Sequence, residues 1–107
     1  LFRVEFVLLS SDPFKISRLP YVVDLLEREL IDFCNPIKTG ASIICAPSKD
    51  SLIIIYTAFN ESKQLNVYIR IESLDAQILS QIVEKISKKL RQEGYVMTLS
   101  NTSSSLL

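Results

Sequence analysis

A two-layer α+β sandwich is the fold this sequence predicts, and three observations carry that reading. Apolar residues alternate at every second position near both ends and through the middle of the chain; two further stretches repeat them at helical spacing; and turn-forming clusters separate these segments. The 107 residues suit one compact domain with one core. Residues 1–100 are expected to form that domain, and residues 101–107, rich in serine, a flexible tail.

The first strand runs from Leu1 to Leu9, with Phe2, Val4, Phe6 and Leu8 on the buried side and Arg3, Glu5, Val7 and Leu9 on the other. Ser10, Ser11, Asp12 and Pro13 follow as a turn cluster. Leu19, Val22, Val23, Leu26, Leu30 and Phe33 then fall at helical spacing, Leu25 and Ile31 widen the stripe, and Asn35-Pro36 stops it. Pro20 fits in the first turn, where its missing N–H costs nothing, and Asp24, Arg28 and Asp32 succeed one another four apart on the wet side.

Beyond Thr39-Gly40 come three strand-like runs, Ser42 to Ala46, Leu52 to Phe59 and Leu65 to Glu72, which read as an antiparallel meander. Leu52-Ile53-Ile54-Ile55-Tyr56 is apolar on both faces and belongs near the sheet centre; Leu65, Val67, Ile69 and Ile71 alternate with Asn66, Tyr68, Arg70 and Glu72. A second helix is expected from about Leu74 to Glu93, with the stripe Leu79, Ile82, Val83, Ile86 and Leu90, an N-cap at Ser73 or Asp75, and Gly94 as its stop. Tyr95 to Leu99 is a last short strand.

The order β-α-β-β-β-α-β gives a mainly antiparallel sheet with two helices on one face, a ferredoxin-like variant with an additional strand. If the first strand lies antiparallel to the Leu65 strand, Arg3 faces Glu72 and Glu5 faces Arg70 on the outer side. Opposite charges then meet twice, each pair worth a few tenths of a kcal/mol, enough to order the topology.

Composition removes much catalytic equipment: there is no histidine, and the only glycines are Gly40 and Gly94, so an imidazole base and a glycine-rich phosphate loop are both missing. Glu27, Glu29 and Asp32 sit beside Arg28 on a helix face and read as solvated charges. Neither Ser17 nor Ser87 stands in a nucleophile motif, and Cys34 and Cys45, too few for a disulfide scaffold and without zinc spacing, read as reduced core residues, with a disulfide between them as the lesser alternative. No enzyme, no cofactor, no metal and no small-molecule substrate are expected.

Twelve basic and twelve acidic residues cancel, so no whole-domain field draws the chain to nucleic acid or an anionic membrane. Lys85, Lys88, Lys89 and Arg91 are the one local charge asymmetry and form a candidate anion-binding patch for RNA or lipid headgroups. The outer sheet face offers no run of aromatics for stacking bases. It carries apolar residues instead: Val7 and Leu9, and either Ile53, Ile55 and Phe59 or their neighbours, must point away from the helices. With Tyr68, the set Val7, Leu9, Ile53 and Ile55 is the candidate interface, an apolar patch with a polar rim. The alternative is that the tail or the Asn35 to Ala41 connection covers it.

In element order the chain resembles the kinase-associated C-terminal domains, which bind acidic lipids or their own kinase. It has one strand fewer before its second helix and one extra after it, and no residue roles are carried over. The apolar share of 48% and mean hydropathy of +0.25 are high for so small a domain, which suggests that some apolar surface is meant for a partner. No apolar run approaches the ~18 residues of a membrane-spanning helix, and the chain starts within a strand, so a soluble piece of a longer intracellular protein, cytoplasmic or nuclear, is expected. The function expected is non-catalytic regulation or assembly through homo- or heterodimerisation, with anion binding by the basic second helix as the alternative.

Overall fold

Every alternating stretch named above forms a strand, and a short sixth strand joins them. The computed structural model describes residues 1–10, 19–40 and 42–100, with side chains for all of these except 19–23. The turn residues Ser11, Asp12 and Pro13, the side chains of Leu19, Val22 and Val23, and residues 101–107 lie outside that description. The elements are β1 (Phe2–Ser10), α1 (Leu19–Leu30), β2 (Ile37–Thr39), β3 (Ser42–Ser48), β4 (Ser51–Phe59), β5 (Leu65–Ser73), α2 (Ala76–Gln92) and β6 (Tyr95–Leu99). They make one antiparallel sheet of order β2-β3-β4-β5-β1-β6, with β4 interior as its doubly apolar sequence requires.

Both helices cover one side of this sheet. Leu25, Leu26 and Leu30 of α1 and Ile82, Ile86 and Leu90 of α2 share a single core with Leu8, Ile43, Cys45, Ile53, Ile55, Val67, Ile69, Ile71 and Tyr95. Alternation decides which sheet residues enter that core: Phe6 stands opposite Ile69, Ile69 opposite Ile55, and Ile55 opposite Ile43. The register also places Arg3 against Glu72 and Glu5 against Arg70, as the charge pattern predicts.

Local chemistry fixes the helix ends. The Asp75 side chain accepts hydrogen bonds from the backbone N–H groups of Gln77 and Ile78, so Asp75 is the N-cap of α2, and Ser73 supports it by accepting from the Asp75 N–H. Gly94, at φ +88°, ends the helix in the left-handed conformation that glycine adopts without strain. α1 stops earlier than its stripe suggests, because the N–H groups of Phe33 and Cys34 both turn back to the Leu30 carbonyl. Pro20 falls in the first turn of α1.

Three expectations need correction. The Asn35 to Ala41 connection contains β2, which pairs with β3 at the sheet edge; the β-branched residues Ile37 and Thr39 favour extension, and Gly40 at φ +57° turns the chain back. Cys34 and Cys45 are joined in a disulfide, with 5.8 Å between their Cα atoms; the end of α1 lies over β3, a tertiary proximity that their spacing in sequence does not reveal. Ile53 and Ile55 face the helices and are 0% and 1% exposed, so they belong to the core and not to an outer interface.

Candidate interaction surface

The sheet face away from the helices is built by Arg3, Glu5, Val7 and Leu9 of β1, the even-numbered residues of β4 and β5, and their partners in β3 and β2. Its outward residues on β4 are Leu52, Ile54 and Tyr56, the neighbours of the two isoleucines in the core. The register lines up Ile37, Ile44, Ile54, Arg70 and Glu5 across five strands, so an apolar row of isoleucines ends on an ion pair. The adjacent row runs Tyr56, Tyr68, Val7 and Thr98.

Glu5 sits where these rows meet and is only 4% exposed. A charge so placed requires partners. The Tyr56 hydroxyl donates to Glu5 Oε1, and Arg70 Nη2 donates to the same oxygen at 3.4 Å. Tyr56 stacks on Tyr68, ring centroids 5.2 Å apart and 18° between planes, and the Arg70 guanidinium lies 5.8 Å from the Tyr56 ring centre. Burial, and next the bond to Glu5, push the Tyr56 phenol up to about 12. Arg70 Nε is buried without an acceptor among the described residues. Beside this cluster Arg3 pairs with Glu72 at 3.0 Å.

Around the cluster the face is open and apolar. Leu9 is 46% exposed, Val96 52%, Ile37 61% and Ile44 36%. A groove lined by Val7, Phe59, Asn66, Tyr68, Leu99 and Ser100 continues the face toward the β4–β5 hairpin. Of the residues predicted to form the interface, Val7, Leu9 and Tyr68 therefore come together on this face, whereas Ile53 and Ile55 do not. Ile54 and Tyr56 are the neighbours that the sequence left open as the alternative outward set, and Ile44 is the residue that sequence reasoning missed.

The basic stretch of α2 is not one patch. Lys89 donates to Asp32 at 2.7 Å and to Glu29 at 3.3 Å, which neutralises it against α1, and Lys85 and Lys89 lie 5.9 and 6.0 Å from the Phe33 ring centre. The hydrogen bond with Asp32 raises the Lys89 pKa, and the same bond, followed by the lysine charge, lowers that of Asp32. Lys88 and Arg91 remain exposed on α2, with Glu84 and Glu93 also exposed among them. Among the described residues no three of His, Cys, Asp and Glu converge as a metal site would require, and no helix is long and apolar enough to cross a membrane.

Comparison with family models, curated proteins and solved structures finds no match to this chain.

Proposed function

We propose that this domain is a non-catalytic regulatory or assembly module that pairs with a second copy of itself through the outer sheet face. The observation that carries the reading is the composition of that face. Rows of isoleucine, leucine, valine and tyrosine lie open on the side that neither helix covers. The charged residues at its centre are already paired, Arg3 with Glu72 and Arg70 with Glu5, so the face presents no net charge to repel a copy. A two-fold arrangement would bring each apolar row against its equivalent, the usual closure for a homo-oligomer. An intracellular setting belongs to the same reading, and the Cys34–Cys45 bond would be transient there.

Light scattering at micromolar concentration is the test. The parent chain is expected at twice its chain mass, and Leu9→Glu and Ile44→Glu, each placing a charge at an already exposed position, at the single mass. A parent that stays monomeric, or a dimer that both substitutions leave intact, overturns the proposal.

A further inference from the structure

The Cys34–Cys45 bond crosses from the end of α1 to β3, and the short chain between its two cysteines carries the whole of β2. β2 is three residues long, and Ile37, Lys38 and Thr39 are all exposed. Apart from its ladder with β3, the tie described for β2 is an ion pair between Lys38 and Asp24 at 3.0 Å, with both side chains largely in solvent. Exposed pairs of that kind hold weakly. The covalent bond is therefore the strongest constraint on where this segment lies. The two cysteines are unequally placed: Cys45 is 1% exposed, whereas Cys34, in the turn that follows α1, is only half-buried.

We propose that the Cys34–Cys45 disulfide is a redox-controlled clasp: closed, it holds edge strand β2 on the sheet, and opened by a dithiol reductant, it releases β2 and uncovers the edge of β3. The chemistry is thiol–disulfide exchange. One thiolate of the reductant attacks the sulfur of the more accessible Cys34, the bond to Cys45 breaks, and the Cys45 thiolate takes up a proton. The second thiol of the reductant then displaces Cys34 and closes the reductant's own disulfide. The protein gains two electrons and two protons, and the dithiol is oxidised by the same amount. An uncovered β3 would present unpaired backbone groups to another strand, the usual consequence of a bare sheet edge. In a reducing compartment a bond of this kind is transient and redox-sensing. The clasp does not depend on the outer-face dimer.

Two measurements on the full chain test it. Alkylation under denaturing conditions, read by mass spectrometry, is expected to add no label after incubation with oxidised glutathione and two labels after dithiothreitol; two labels in both cases overturn the bond. Hydrogen exchange is then expected to accelerate at least tenfold in peptides covering residues 35–44 on reduction, with β4 and β5 unchanged, and Cys34→Ser is expected to show the same pattern without reductant. Identical exchange in both forms overturns the clasp. Acceleration across the entire sheet also overturns it, because the bond would then be holding the domain and not one strand.

Discussion

At the scale of single residues, the outer face depends on how the Glu5 carboxyl is satisfied while 4% exposed. Tyr56 and Arg70 donate to one of its oxygens, and hydrogen bonds to a charged group are worth more than neutral ones, about 1.5–3 kcal/mol. Tyr56→Phe keeps the stacked ring against Tyr68 but removes one donor, and a loss within that range is expected in urea unfolding. The same residue gives a pH signature. Its phenol pKa is raised to about 12 in the folded state, so folding favours the protonated form. The stability this contributes is fully present below the ordinary tyrosine pKa of 10.0 and is lost as pH rises through the raised value. Parent and Tyr56→Phe should therefore converge in stability between about pH 10 and pH 12, when unfolding is followed across that range. A constant difference would mean that the hydroxyl proton is not held by Glu5.

At the scale of elements, most of the chain was legible because polarity and period agree. β1 and β5 each have one face that is almost wholly apolar, and the two charge pairs set their mutual register from the sequence alone. β4 resisted because Ile53, Ile54 and Ile55 give it no polar side by which to choose a phase. A signal was nevertheless present. A five-residue loop from Asn60 to Gln64 sets Phe59 opposite Leu65, and since Leu65 begins the apolar side of β5, the odd-numbered residues of β4 must share the core. The loop closes this way, with the Asn60 side chain accepting from the Gln64 N–H and Lys63 at φ +62°. β2 and the disulfide were not legible, because both depend on where α1 ends relative to β3. The helix pair gives the prediction at this scale. Lys89 joins α2 to α1, so Lys89→Ala is expected to lower the urea midpoint more than Lys88→Ala, whose own effect should stay within about 0.5 kcal/mol. Asp32 titrates below its ordinary value in the folded state, so the stability from this link is present at neutral pH and lost as acid protonates the carboxylate. The difference between the two variants should accordingly close in acid, and a difference that persists there would mean that Lys89 acts through packing on Phe33.

At the scale of the whole molecule, the proposed dimer assigns stability to one sheet face and association to the other. One face is sealed by both helices, and Leu26 and Ile82, 2% and 6% exposed, share that core with Ile55 and Ile69, with Phe6 packed against it. Leu26→Ala and Ile82→Ala each leave a cavity that the surrounding side chains only partly fill, a cost of roughly 2–5 kcal/mol. A domain of this size is stable by about 5–15 kcal/mol in total, so either change should shift the urea midpoint strongly. On the open face Leu9→Glu replaces a side chain already 46% in solvent, in a position where a carboxylate stays hydrated. Its effect on the unfolding of the isolated chain should be within about 0.5 kcal/mol. Core variants are thus expected to unfold early while retaining the outer surface, and Leu9→Glu to keep the monomer's stability while losing self-association. Because mass action links a dimer's apparent stability to concentration, the comparison is made on dilute protein, where both species are monomeric. If Leu9→Glu then lowers the midpoint as much as Leu26→Ala, Leu9 supports the monomer fold itself, and the outer face cannot be assigned to a partner.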